Sequence, residues 1–200
     1  RHALEFIRVR SNQRRSGAPG LRRDQHIVGA DRLAPPFEMD PDIGGFAGVT
    51  VRETLPSPVE VYYRNKMEYS FGDKRWLLPE ELGATLRDEL FALGLHVPGR
   101  YDRILSIDAC HLQSPESNAI LNSTRDFFLA RNVPAYSTKT HTGDLRNLVI
   151  REGKRSGERM VYFVSTHEEP EMMREYAELL REERFGVTTF VHGITQRKST

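Results

Sequence analysis

Cysteine is nearly absent from this chain of 200 residues: Cys110 is its only one. No disulfide can close within the chain, and a cage of cysteines around a metal cannot be built from it. Lysine is scarce too, at Lys66, Lys74, Lys139, Lys154 and Lys198, against 24 arginines. Either a G+C-rich coding sequence or a preference for the planar, bidentate guanidinium fork explains that imbalance. Long apolar runs are missing, so neither a membrane-spanning segment nor the apolar core of a signal peptide is expected. The expectation is a soluble protein in a reducing, cytoplasmic setting with no membrane partner. Net charge is only +1, from 29 basic and 28 acidic residues, so any basic site must be local.

Histidines are present, but scattered: His2, His26, His96, His111, His141, His167 and His192 form no pair at metal-ligand spacing. No glycine-rich turn sits between a strand and a helix as a phosphate loop requires. The Cys110-His111 pair invites a nucleophile and base reading. If it lies on a strand, however, neighbouring side chains point to opposite faces, so an inert, buried thiol is expected instead.

Residues 1–42 differ from the rest, with Arg1, Arg8, Arg10, Arg14, Arg15, Arg22, Arg23 and Arg32 and no sustained apolar period. They read as a basic arm, either mobile or ordering on RNA. The chain begins with Arg1 and stops soon after an apolar, strand-like segment, which suggests an excised or incomplete chain.

Residues 43–200 read as one α+β domain. Strands are expected at 49–51, 61–71, 91–97, 101–107, 145–151, 160–165 and 187–194. A short helix after Pro79 would turn Leu82, Leu86 and Leu90 to one face. Ser114 as N-cap with Pro115 at the first helical position announces a helix ending near Arg131-Asn132, with Ile120, Leu121, Phe127 and Phe128 inward. A second helix, 170–183, would bury Met173, Tyr176, Ala177 and Leu180 before Gly186. From Tyr101 onward this order of elements predicts a split βαβ (ferredoxin-like) antiparallel sheet with two helices on one face, extended by the preceding strands.

The remaining chemistry is cationic. Arg64, Lys66, Lys139, His141, Arg146 and Arg151 lie on or beside predicted strands, and cation-rich, aromatic sheet faces are RNA platforms in many proteins. A solvated sheet face explains the same spacing equally well.

Several stretches carry a resemblance. YRNKMEYSFG (residues 63–72), LGLH (93–96), DACHL (108–112), HTGDLRNLVIR (141–151) and GERMV (157–161) resemble, in order, motifs of the RNA uracil-5 methyltransferase family. The resemblance covers roughly residues 43–200 and is to the family's central domain. It implies RNA as the partner, with 23S rRNA the leading reading and tRNA the alternative, and S-adenosylmethionine as the cofactor, bound by a C-terminal domain that these residues do not include. The cysteine that adds to C6 of the flipped uracil, and the base that removes the C5 proton, also belong to that domain. No catalytic residue is therefore expected in this chain. Arg64, Asn65, Lys66, Lys139, His141, Arg146 and Arg151 become candidates for RNA contact or interdomain packing.

Cys110 matches one ligand position of an iron–sulfur cluster carried by many relatives. A [4Fe–4S] cluster ordinarily needs four thiolates, and residues 1–109 contain no cysteine, so no cluster is expected here. Either the chain is from a cluster-free branch or its first 42 residues are not the native upstream sequence. A stand-alone RNA-binding module and an interdomain docking domain are the rival readings.

Overall fold

The computed structural model describes residues 4–7, 55–81 and 91–198. The chain divides into two compact units, residues 1–12 with 61–200, and residues 13–60. The expected strand at 49–51, the leucine face at Leu82, Leu86 and Leu90, and most of the basic arm lie outside the described residues.

Seven strands form one sheet: β1 (Leu4–Ile7), β2 (Lys66–Gly72), β3 (Ala92–Val97), β4 (Arg100–Ser106), β5 (Leu145–Glu152), β6 (Arg159–Ser165) and β7 (Thr189–Ile194), in the spatial order β1-β7-β6-β5-β2-β3-β4. Two helices, α1 (Pro115–Ala130) and α2 (Pro170–Leu180), complete this α+β unit. Only β6 and β7 pair in parallel, across α2; every other pairing is antiparallel.

That order corrects the expected split βαβ arrangement. A split unit would place β4 in the gap between β6 and β7, but these two are hydrogen-bonded neighbours from Met160↔Thr189 to Ser165↔Ile194. The reason lies upstream of Tyr101. Pro98 and Gly99, the glycine at φ 76°, make a tight turn that pins β4 beside β3, and β3 is itself paired with β2. β4 is thereby carried to the far edge.

Sequence rules do place both helices correctly. Ser114 caps α1 by accepting from the Ser117 amide at 3.2 Å, and Pro115 supplies the first-turn φ. Ile120, Leu121, Phe127 and Phe128 are buried, as are Met173, Tyr176, Ala177 and Leu180 on α2. The second helix is shorter than expected: it stops at Leu180, and Gly186 (φ 57°) caps a separate short turn, Glu183–Phe185.

Both helices pack on one face of the sheet through aromatic rings. Phe128 of α1 stacks on Phe163 of β6 at 4.9 Å and 8°. Tyr176 of α2 meets the same Phe163 at 5.6 Å and Phe190 of β7 at 5.5 Å. The Tyr176 hydroxyl donates to Thr124, whose own hydroxyl donates to the Ile120 carbonyl. That bond satisfies a phenol whose proton is held tightly because burial disfavours the anion.

A polar clasp ties the start of α1 to the β5–β6 hairpin. The Glu152 carboxylate, 7% exposed, accepts from the Ser114 hydroxyl at 2.8 Å and also from Ser117 and Lys154. Burial pushes its pKa up, but these bonds outweigh it and leave the carboxyl below its ordinary range. A depressed carboxylate stabilises the fold fully above its unfolded pKa, about 4.3, and loses that contribution as pH falls through the folded value. Glu152→Gln is therefore expected to cost about 1–3 kcal/mol at neutral pH in urea titrations. The gap from wild type should narrow below about pH 4; a constant gap across that range would contradict the assignment.

Candidate nucleic-acid interface

The candidate residues from the sequence do not form one site. They separate into three places, each fixed by a different part of the backbone.

The first place involves Arg64. The strand expected at 61–71 begins only at Lys66, because Tyr62 takes φ 58° and the Tyr62 and Arg64 amides donate to the carbonyls of His111 and Leu112, at 2.7 and 2.9 Å. Arg64 therefore stands before the strand that Lys66 opens, not on it. Arg64 is exposed beside the turn that follows β4.

Cys110 lies in that turn rather than on a strand, which also removes the strand argument used to separate it from His111. It is half-buried, packed against the core, with its amide held by the Asn118 side chain at 2.9 Å and its carbonyl accepting from Asn118 at 3.1 Å. Nearby, the buried Tyr69 hydroxyl makes no hydrogen bond of ordinary geometry; burial, and then the adjoining Cys110 thiol, raise its pKa. One thiol, an amide pair and a phenol are not the donor set of an iron–sulfur cluster. Among the described residues, no three His, Cys, Asp or Glu side chains are grouped to hold a metal ion.

Asn65, Lys66 and Arg151 line the second place, a shallow recess of about 320 Å³ together with Glu152, Gly153, Ser156 and Glu158. Lys66 is opposite Arg151 in the β2–β5 register and forms an ion pair with Glu68 at 3.1 Å. Its charge is mixed.

Lys139, His141 and Arg146 line the third and largest place, a cleft of about 960 Å³. Its walls are the segment after β2 (Lys74), the β3–β4 hairpin (His96, Tyr101, Asp102), the α1–β5 loop (Tyr136, Thr138, Lys139, His141) and Lys198 after β7. From Ser70 in this cleft to Lys66 in the recess is four residues of β2, about 13 Å at ~3.3 Å per residue, so the two are separate.

The α1–β5 loop is folded on itself, which sets its side chains in fixed positions. The Ser137 amide donates to Thr142 O and the His141 amide to Ser137 O, both at 2.8 Å. Gly143 is obligatory, since at φ 97° a Cβ would lie 2.2 Å from the Ala135 carbonyl oxygen. The Tyr136 hydroxyl is 3.0 Å from Nδ1 of His141, and the Arg146 guanidinium lies over the Tyr136 ring, 4.1 Å from its centroid. Arg146 also donates to Arg197 O at 2.8 Å, drawing the segment before Lys198 toward the cleft.

Charge distinguishes this cleft from the recess. Lys66 and Lys154 are paired with Glu68 and Glu152. Lys74, Lys139 and Lys198 have no carboxylate partner among the described residues, and all three line the cleft. Among the described residues the one acidic side chain in its wall, Asp102, is engaged by Arg100 at 3.2 Å, and that guanidinium holds its carboxyl below the usual range. Unpaired cations around tyrosines, in a cleft of this size, suit a polyanion with aromatic bases.

Sequence reasoning found Lys139, His141 and Arg146 but missed Lys74, His96, Tyr101, Tyr136 and Lys198. The rarity of lysine was a usable signal, because three of the five converge here.

No protein-family model matches the chain. It is 35% identical over 164 residues to an uncharacterized RNA methyltransferase of Chlorobaculum tepidum, covering 79% of this chain and 33% of that protein. A Bacteroides thetaiotaomicron RNA methyltransferase, also uncharacterized, is 37% identical over 128 residues, 64% of this chain and 28% of that protein. The solved Pyrococcus abyssi tRNA (uracil-54, C5)-methyltransferase, in complex with S-adenosyl-L-homocysteine, aligns with 57% of this chain and 24% of its own at TM-score 0.43 and 23% identity, too distant for residue-by-residue comparison. The chain spans about a third or less of the length of these relatives. By sequence, it belongs to the RNA methyltransferase family, whose uracil-5 members its ordered motifs resemble.

Proposed function

We propose that this chain is the central domain of a S-adenosylmethionine-dependent 23S rRNA (uracil-5-)-methyltransferase of the cytoplasm, holding RNA while a part of the protein outside residues 1–200 transfers the methyl group. The observation that carries the reading is the cleft in which Lys74, Lys139 and Lys198 stand without carboxylate partners among the described residues, beside Tyr101 and Tyr136. The ordered motifs at 63–72 and 141–151 support the uracil-5 assignment, and relatives named RNA methyltransferases support the substrate class. A base within a stem must be extruded before its C5 can be reached, and a second domain gripping the adjoining strand keeps it extruded.

The recess of Asn65, Lys66 and Arg151 fits a different role. Glu68, Glu152 and Glu158 balance its cations, so it suits docking against another protein domain more than gripping phosphate.

The test is to incubate the full-length protein with methyl-labelled S-adenosylmethionine and unmodified 23S rRNA or tRNA, then to analyse the digested nucleosides. Labelled 5-methyluridine from 23S rRNA is expected. Label in tRNA alone would overturn the choice of rRNA, and label on another nucleoside would overturn the uracil-5 assignment.

A further inference from the structure

We infer that Tyr101 is a stacking platform for one unpaired nucleotide, whose flanking phosphates are held by Lys74, Lys139 and Lys198. This deepens, and rests on, the reading of the cleft as an RNA site.

Tyr101 is the most exposed aromatic side chain of the described residues, at 80%. It stands on β4, an edge strand, and its ring has no aromatic or cationic partner among the described residues. The other tyrosine in the wall is different: Tyr136 is 8% exposed and Arg146 covers its face. Of these two rings, only that of Tyr101 can receive a base.

The lysines make the cleft electrostatically ready for phosphate, since Asp102, beside Tyr101 in sequence, is already engaged by Arg100. About 960 Å³ lies within the ~300–1,000 Å³ typical of small-ligand sites. Duplex bases are stacked on one another and expose only their edges to the grooves, whereas an unpaired base can lay its face on a ring. The subsite therefore discriminates by strandedness, with little preference among bases, because every base has a π-face.

Fluorescence anisotropy on the full-length protein, with a labelled oligouridylate and a blunt RNA duplex of the same length, tests this. Tyr101→Ala is expected to weaken oligouridylate binding about 5- to 150-fold, the span of one base stacked on one ring. Duplex binding should be unchanged, and Tyr101→Phe should retain wild-type affinity. The side chain is exposed, so a melting curve matching wild type is expected to accompany the loss. If Tyr101→Ala binds oligouridylate as wild type does, while removal of the three lysines lowers the salt dependence, the stacking subsite is wrong and the RNA-holding cleft stands. If neither replacement changes binding to either RNA, both are wrong.

Discussion

Replacing Phe163 with alanine is expected to cost the folded state about 3–5 kcal/mol. The side chain is fully buried at the point where both helices meet the sheet. It stacks on Phe128, meets Tyr176 at 5.6 Å and 60°, and stands edge-on to Phe71 at 5.9 Å and 85°. Truncation removes these contacts and leaves a void between α1, α2 and β6 that rigid strands cannot fill. At about 2–4 °C per kcal/mol for a unit of this size, the melting temperature should fall by roughly 6–20 °C. Phe163→Leu keeps most of the volume and should lose less than half as much. A Phe163→Ala loss under about 1 kcal/mol would show that this aromatic cluster does not hold the helices to the sheet.

Much of the fold could be read from local chemistry. Ser114 and Pro115 mark the start of α1 because a cap acceptor and a fixed φ are needed at those two positions and nowhere else in the turn. The spacing of Met173, Tyr176, Ala177 and Leu180 gives the buried face of α2. The misread features depend on distant partners. β4 is at the edge because its hairpin partner β3 is paired with β2 and not with β6 or β7, and strand order is not written in periodicity. Lys66 opens β2 because the residues before it are bonded to His111 and Leu112, far along the chain.

The site follows the same division. His141 and Arg146 were visible because one motif, residues 141–151, carries both, and Lys139 stands just before it in the α1–β5 loop, which folds locally. Lys74, Tyr101 and Lys198 come from three separate segments, and only the sheet order brings them to that loop. Arg64 and Lys66, two residues apart, part company because the backbone turns at Tyr62 and becomes extended strand only at Lys66.

If Lys74, Lys139 and Lys198, which have no carboxylate partner among the described residues, grip RNA phosphates in this cleft, the salt dependence of RNA binding reports it. In the full-length protein, Lys74, Lys139 and Lys198 should be replaced together by alanine. All three line an open cleft without carboxylate partners among the described residues, so the melting temperature should change little. For single-stranded RNA each neutralised phosphate contributes about 0.7 to the slope of log affinity against log salt, so the triple replacement should reduce that slope by about 2. Affinity near physiological salt should fall about 10- to 100-fold. An unchanged slope and unchanged affinity, in a protein that melts as wild type does, would contradict the account.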